Sequence, residues 1–143
     1  MTKMNTSNPA MTPRRAETKP TNPKDAVGAK KPGLFHVPTT ALFALAEAHD
    51  DGALKYGSHN WRTSGVRVST YIEAIERHLA LYKEGQDRSD DAYVHHLAHV
   101  MACCAIVIDA EACSMLNDDR PTAAPDGWMD EYRDRAEQRR GGS

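Results

Sequence analysis

Apolar positions along this chain are unevenly spread, and the densest run is residues 95–111, HHLAHVMACCAIVIDAE, in which residues 97–108 carry a single polar side chain, His99. A helix apolar on every side is expected to be buried on every side. His96 and His99, at its front end, are then expected to point into protein, where an imidazole needs a partner. Upstream, residues 71–84 read YIEAIERHLALYKE, an amphipathic helix pattern. At about 100° per residue, Ile72, Ile75, Leu79 and Tyr82 form its apolar face, with Glu76 at the border and Glu73 one step further out. A third helix is predicted over residues 41–56, where Leu42, Leu45, Ala46 and Ala53 share a stripe. Pro38 suits its first turn and Gly57 its end.

Between these elements, residues 58–66 read as a loop holding Trp61, Ser69 or Thr70 is a candidate N-cap for the second helix, and Gly85 stops it ahead of the acidic loop 86–91. Beyond Leu116 the chain turns polar, with Pro121 and Pro125 as breakers and a charged helix over residues 128–140. No strand pattern and no internal repeat is visible. Short connections favour antiparallel neighbours. The pattern predicts an all-α fold, a small helical bundle of three core helices plus a peripheral C-terminal helix. Residues 1–20 read as a disordered arm, residues 21–121 as the all-α domain, and residues 122–143 as a polar extension.

Length and charge narrow the picture. A chain of 143 residues supports one modest core. A net charge of −2, with pI near 6.4, gives no basic footprint for duplex nucleic acid, although local Lys and Arg still allow a small anionic ligand. There is no signal-peptide pattern and no apolar run of membrane-spanning length. Cys103, Cys104 and Cys113 are odd in number and lack CxxC spacing, which predicts reduced, buried thiols in a cytoplasmic protein.

Two sets of side chains could carry chemistry. Glu73 and Glu76, at i and i+3 beside a core face, could hold a hard divalent cation. The plainer alternative is a pair of solvated charges, Glu73 facing Arg77 at i+4. His95, His96 and His99 offer i,i+3 and i,i+4 spacings, and Cys103 continues the stripe. Such sets ligate zinc or manganese when a carboxylate joins them, and without metal they make a hydrogen-bonded polar layer. For an anionic, planar ligand, Lys24, Lys30 and Lys31 lie in a Gly-containing segment, Arg77 and His78 adjoin Glu76, and Lys55 and Tyr56 precede Asn60, Trp61 and Arg62. Cations would meet phosphates, while Tyr56 or Trp61 could stack on a base whose edge Asn60 reads. Otherwise Trp61 caps the bundle and the lysines are solvated.

Taken together, NPKDAVGAKKPG (residues 22–33), DGALKYGSHNWR (51–62), ERHLALYKEGQD (76–87) and HHLAHVMACCAIVIDAE (95–111) resemble a phage and prophage family, the dATP/dGTP diphosphohydrolase N-terminal domains. These are all-α proteins related to the MazG-like nucleotide pyrophosphohydrolases. The resemblance implies that Glu73 and Glu76 match the ExxE metal motif and that His96-Leu97-Ala98-His99 falls where ExxD would stand. It thus places Glu73, Glu76, His96 and His99 at metal-ligand positions, with Mg²⁺ or Mn²⁺ as cofactor. Imidazole in place of carboxylate shifts the expectation from Mg²⁺ toward Mn²⁺ or a softer metal. The family's loop carries Gly-Glu where this chain has Gly85-Gln86, so the resemblance implies that an acidic role there is either shifted to Asp87 or lost.

The resemblance implies hydrolysis of dATP or dGTP to the monophosphate and pyrophosphate, with Glu73, Glu76 and Asp87 as catalytic residues. Lys30, Lys55, Tyr56, Asn60, Trp61, Arg77 and His78 would bind the nucleotide, in a homodimer or homotetramer in the cytoplasm, that of a host if the chain is phage-encoded. Two alternatives stand beside it. One is a non-catalytic nucleotide-binding or scaffold protein. The other is an HD-type triphosphohydrolase built on His49-Asp50.

Overall fold

The computed structural model describes residues 22–142, and the chain divides between His36 and Val37 into two compact units. The arm expected over residues 1–20 lies outside the described residues. The first unit contains a short helix, α1 (Pro23–Gly28). Asn22 caps it by accepting the Lys24 N–H at 3.0 Å, and Pro23 opens it with a preset φ. Lys30 and Lys31 follow in an exposed turn.

The second unit holds α2 (Thr39–Tyr56), α3 (Trp61–Ser64), β1 (Val66–Arg67), α4 (Val68–Lys83), α5 (His96–Ala112), β2 (Leu116–Asn117) and α6 (Trp128–Gly141). The fold is all-α, as the periodicity predicts. Three elements depart from the sequence reading. Trp61 opens a single helical turn inside the expected loop. β1 and β2 pair in parallel, Val66 opposite Leu116 and Arg67 opposite Asn117, although two residues are too few to show an alternating pattern. The second helix begins at Val68, and neither Ser69 nor Thr70 is its N-cap. The Asp119 carboxylate instead accepts the Ser69 N–H at 2.8 Å and the Ser69 hydroxyl, placing negative charge at the positive end of α4.

The strand pair ties the start of α4 to the end of α5. At the opposite end the Tyr82 ring lies 5.5 Å from that of His95, so the two helices run antiparallel. Gly65 makes the junction possible: its φ is +78°, and a Cβ there would stand 3.2 Å from the Met115 carbonyl that accepts the Val66 N–H.

The core is built from small side chains. Ala48, Val94, Ala98 and Ala102 form its centre, with Ala44, Leu45, Ala92 and Met101 packed around it. Burial of α5 on every side is not observed: Cys104 is exposed and Ile108 is 66% exposed. One chain supplies only α2 and α4 as broad neighbours, and they cover one side of α5. The apolar face expected for α4 is also rotated. Tyr71, Ala74, Ile75 and His78 are the half-buried positions, whereas Ile72, Leu79 and Tyr82 are exposed. Cys103 is half-buried, but Cys104 and Cys113 are exposed, contrary to the expectation of buried thiols.

α6 is exposed along almost all its length and laced by Arg133–Asp130 and Arg135–Glu131 pairs, the peripheral charged helix the sequence predicts. Among the described residues no helix is long and apolar enough to cross a membrane.

Candidate functional site

α5 carries polar groups at both ends of an otherwise apolar surface, and each end gathers side chains from other elements. At the front, His95 caps the helix by accepting the Leu97 N–H on Nδ1 at 3.1 Å. His96 is the largest fully buried side chain, 1% exposed, and the Asp87 carbonyl accepts its backbone N–H. Its Nδ1 lies 2.8 Å from Nδ1 of His78 on α4, while its Nε2 is buried with no hydrogen-bond partner. His78 also stacks on His99, with ring centroids 4.4 Å apart and an interplanar angle of 14°. Burial first, and then the neighbouring His99 and His96, push the His78 pKa down to about 4. Burial likewise lowers that of His99.

Beside this layer sits an ion triad. Lys55, in the last turn of α2, donates to Asp51 and Asp91 at 2.8 Å each. Those two hydrogen bonds raise the ammonium pKa, and the one from Lys55, with the Ala92 N–H, holds the Asp91 carboxyl well below the usual carboxylate range. Ser89, buried in the loop before α5, reaches His99 Nε2 at 3.4 Å and accepts the Val94 N–H.

The rear end of α5 is organised around one carboxylate. Asp109 Oδ2 accepts the Trp61 indole N–H at 2.6 Å, and Arg62 forks onto both Asp109 oxygens at 2.8 Å. These bonds hold the Asp109 carboxyl well below the usual range. Trp61, His49 and His59 line a cavity of about 680 Å³ whose wall continues through Ala53, Ala105 and Ile108. His59 sits at φ +53°, its Nδ1 2.9 Å from the Ser58 hydroxyl.

The structure thus sorts the residues singled out from sequence. It brings His96 and His99 together with His78 and not with the glutamates. On an idealised helix Glu76 and Glu73 lie about 160° and 140° around α4 from His78, and both are exposed. Among the described residues no group of three or more His, Cys, Asp or Glu is placed to hold a metal ion, and Glu73 and Glu76 are not gathered with His96 and His99. The Glu73–Arg77 ion pair is not formed either. Asp87 is exposed, with its carbonyl on His96. Lys55 is committed to two aspartates and Tyr56 is 72% exposed. The Asn60 carbonyl takes the Thr63 and Ser64 N–H groups of α3. Arg77 is exposed, and Lys30 belongs to the first unit.

Sequence reasoning missed Asp109, Asp51, Ser89 and Asp91, and it gave His49 only a dipeptide role. A signal existed for Asp109: it is the first charge after a long apolar helical run, and a carboxylate there needs donors.

The all-α bundle thus has an aromatic-walled cavity at one end of α5 and an imidazole layer beside an ion triad at the other. The chain belongs to the dATP/dGTP diphosphohydrolase, N-terminal family, whose model matches residues 21–120 and so spans everything from α1 to β2. By name this is a family of nucleotide hydrolases. No curated protein and no solved structure matches the chain.

Proposed function

We propose that this chain hydrolyses a purine deoxynucleoside triphosphate, taken as its Mg²⁺ or Mn²⁺ complex, to the monophosphate and pyrophosphate. The observation that carries the reading is the family match over residues 21–120, which includes both polar ends of α5 and the acidic pair of α4. Water attacks the α-phosphorus, the bond to the pyrophosphate oxygen breaks, and a carboxylate accepts the water's proton. Glu73 and Glu76, exposed at i,i+3, and Asp87 are carboxylates of this chain open to a substrate. Arg77 beside them is an exposed cation that could offset phosphate charge, a role Lys55 would have to leave two aspartates to play. The uncovered apolar residues of α4 and α5, among them Ile72, Leu79 and Ile108, support assembly as a homodimer or homotetramer.

Phosphorus NMR of the purified chain with Mn²⁺ and each dNTP, beside a metal-free control, tests the reaction. Pyrophosphate and a monophosphate are expected from dATP or dGTP, and tripolyphosphate would favour the HD-type chemistry instead. Glu76→Gln is expected to abolish turnover with helicity and oligomeric state intact, and undiminished turnover would remove Glu76 from the site. The second reading, a nucleotide-binding protein without turnover, is favoured by the failure of Glu73, Glu76, His96 and His99 to converge within one chain. Saturable purine nucleotide binding with no product at any cation concentration would establish it.

A further inference from the structure

The Trp61 cavity has the construction of a site for a flat, neutral ring. The Trp61 indole cannot rotate freely, because its N–H is held by Asp109, which Arg62 in turn grips with two hydrogen bonds. Yet the ring is only half-buried and lines open space of about 680 Å³, within the size range of small-ligand sites. His49 and His59 stand 5.7 and 5.2 Å from it at 47° and 43°, so neither ring is stacked flat on the indole. A preset aromatic face loses little freedom when a second ring lies on it, and stacking of this kind tolerates any base. The apolar side of the cavity, Ala53, Ala105 and Ile108, leaves room for such a ring.

Its polar groups narrow the ligand further. The cation at the rim, Arg62, is consumed by Asp109, so the cavity does not offer it to a phosphate. Asp50 also lines the cavity, and among the described residues its carboxylate has no hydrogen bond or ion pair, nor do the ring nitrogens of His49 have a hydrogen bond. A carboxylate is an acceptor with two oxygens. Guanine presents two adjacent N–H donors, N1–H and the 2-amino group, whereas adenine and cytosine each place one donor beside an acceptor. We infer that the Trp61 cavity is a nucleobase site, with Trp61 as the stacking face and Asp50 as the group that favours guanine. This deepens the nucleotide reading above and depends on it for the class of ligand, but it does not depend on turnover.

The chain has two tryptophans, so Trp128→Phe makes Trp61 the sole tryptophan in the full-length protein, and its emission is read by exciting beyond the tyrosine absorption band. The titration uses dGMP, dAMP, dCMP and 2-deoxyribose 5-phosphate, in EDTA. The expected result is a saturable change in Trp61 emission with dGMP, at least about tenfold tighter than with dCMP, and no response to the sugar phosphate. Asp50→Asn should bring dGMP to the level of dAMP with helicity unchanged. An equal response to all four compounds, or dGMP and dAMP binding alike in the parent, would overturn the inference. The hydrolysis reading fails separately: base binding without any dNTP turnover removes that reading and leaves this site standing. Conversely, turnover with a silent Trp61 and an unchanged KM in Trp61→Ala removes the site and leaves the reaction.

Discussion

The two ends of α5 solve one problem in opposite ways. Each must keep polar atoms inside or against a bundle of small apolar residues. The front end does so with imidazoles: His78 lies against both His96 and His99, burial favours the neutral form of His78 and His99, and one buried nitrogen of His96 goes without a partner. The rear end uses a full charge, Asp109, and surrounds it with three donated hydrogen bonds from Trp61 and Arg62. A neutral layer tolerates burial but is broken by a proton. A charged clamp tolerates protons until its carboxylate is titrated, and it stays nearer the surface, where water and salt reach it.

The sharpest way to break this contrast is His96→Ala. It empties the most deeply buried side chain of the front end, and a loss of about 2–4 kcal/mol in chemical denaturation is expected. A loss under about 1 kcal/mol would mean that the imidazole layer is not a packing element.

Acid should separate the two ends next. His78 has a folded-state pKa near 4, depressed below the ordinary imidazole value. Between those two values the unfolded chain binds more protons than the folded one. Its contribution is therefore complete above about pH 6.5 and is lost as pH falls toward about 4. Asp109 and Asp91 are also depressed, so theirs is present above the ordinary carboxylate value and is lost only at lower pH. Melting temperature against pH should fall in two stages, with His78→Gln flattening the upper stage and leaving the lower. A single stage below about pH 4 in the parent would erase the distinction.

Asp109→Asn should lower the melting temperature less than His96→Ala and shift Trp61 emission, because the indole loses its ionic acceptor and Arg62 its forked partner. The parent's melting temperature should fall with added salt, and this variant should show a weaker dependence. The smallest effect is expected from Lys55→Met. An amine already neutralised by Asp51 and Asp91 is poorly placed to bind phosphate, so KM for a dNTP should stay within about threefold. A tenfold rise would show that Lys55 leaves its aspartates for the substrate.

Much of this architecture is legible in sequence because helical periodicity is a local property. Residues 41–56, 71–84 and 95–111 fall inside α2, α4 and α5 or within a residue of their ends, and the burial of His96 follows from the apolar run behind it. The facing of α4 was not legible, because Ile72 and Leu79 look like core residues and are exposed, while His78 looks like a surface residue and meets α5. Choosing between those faces depends on Ala74 and the alanines of α5, whose small size lets helices approach but gives a weak hydrophobic signal. The candidate site shows the same limit. Trp61 is conspicuous and Asp109 is a charge closing an apolar run, yet nothing local joins two residues 48 positions apart.

The Asp119 cap on α4 has a consequence for the order in which the chain is made. Ser69 and Asp119 are 50 positions apart, so α4 leaves the ribosome with its first N–H groups open. At about 5–20 residues per second, several seconds of synthesis pass before the carboxylate that accepts one of them, the Ser69 N–H, exists. β2, which anchors the same end of α4 through β1, is completed only two residues before Asp119. Until then the nascent bundle is an unlatched pair of helices, and a translational pause short of residue 119 would prolong the interval in which its apolar faces meet something other than each other.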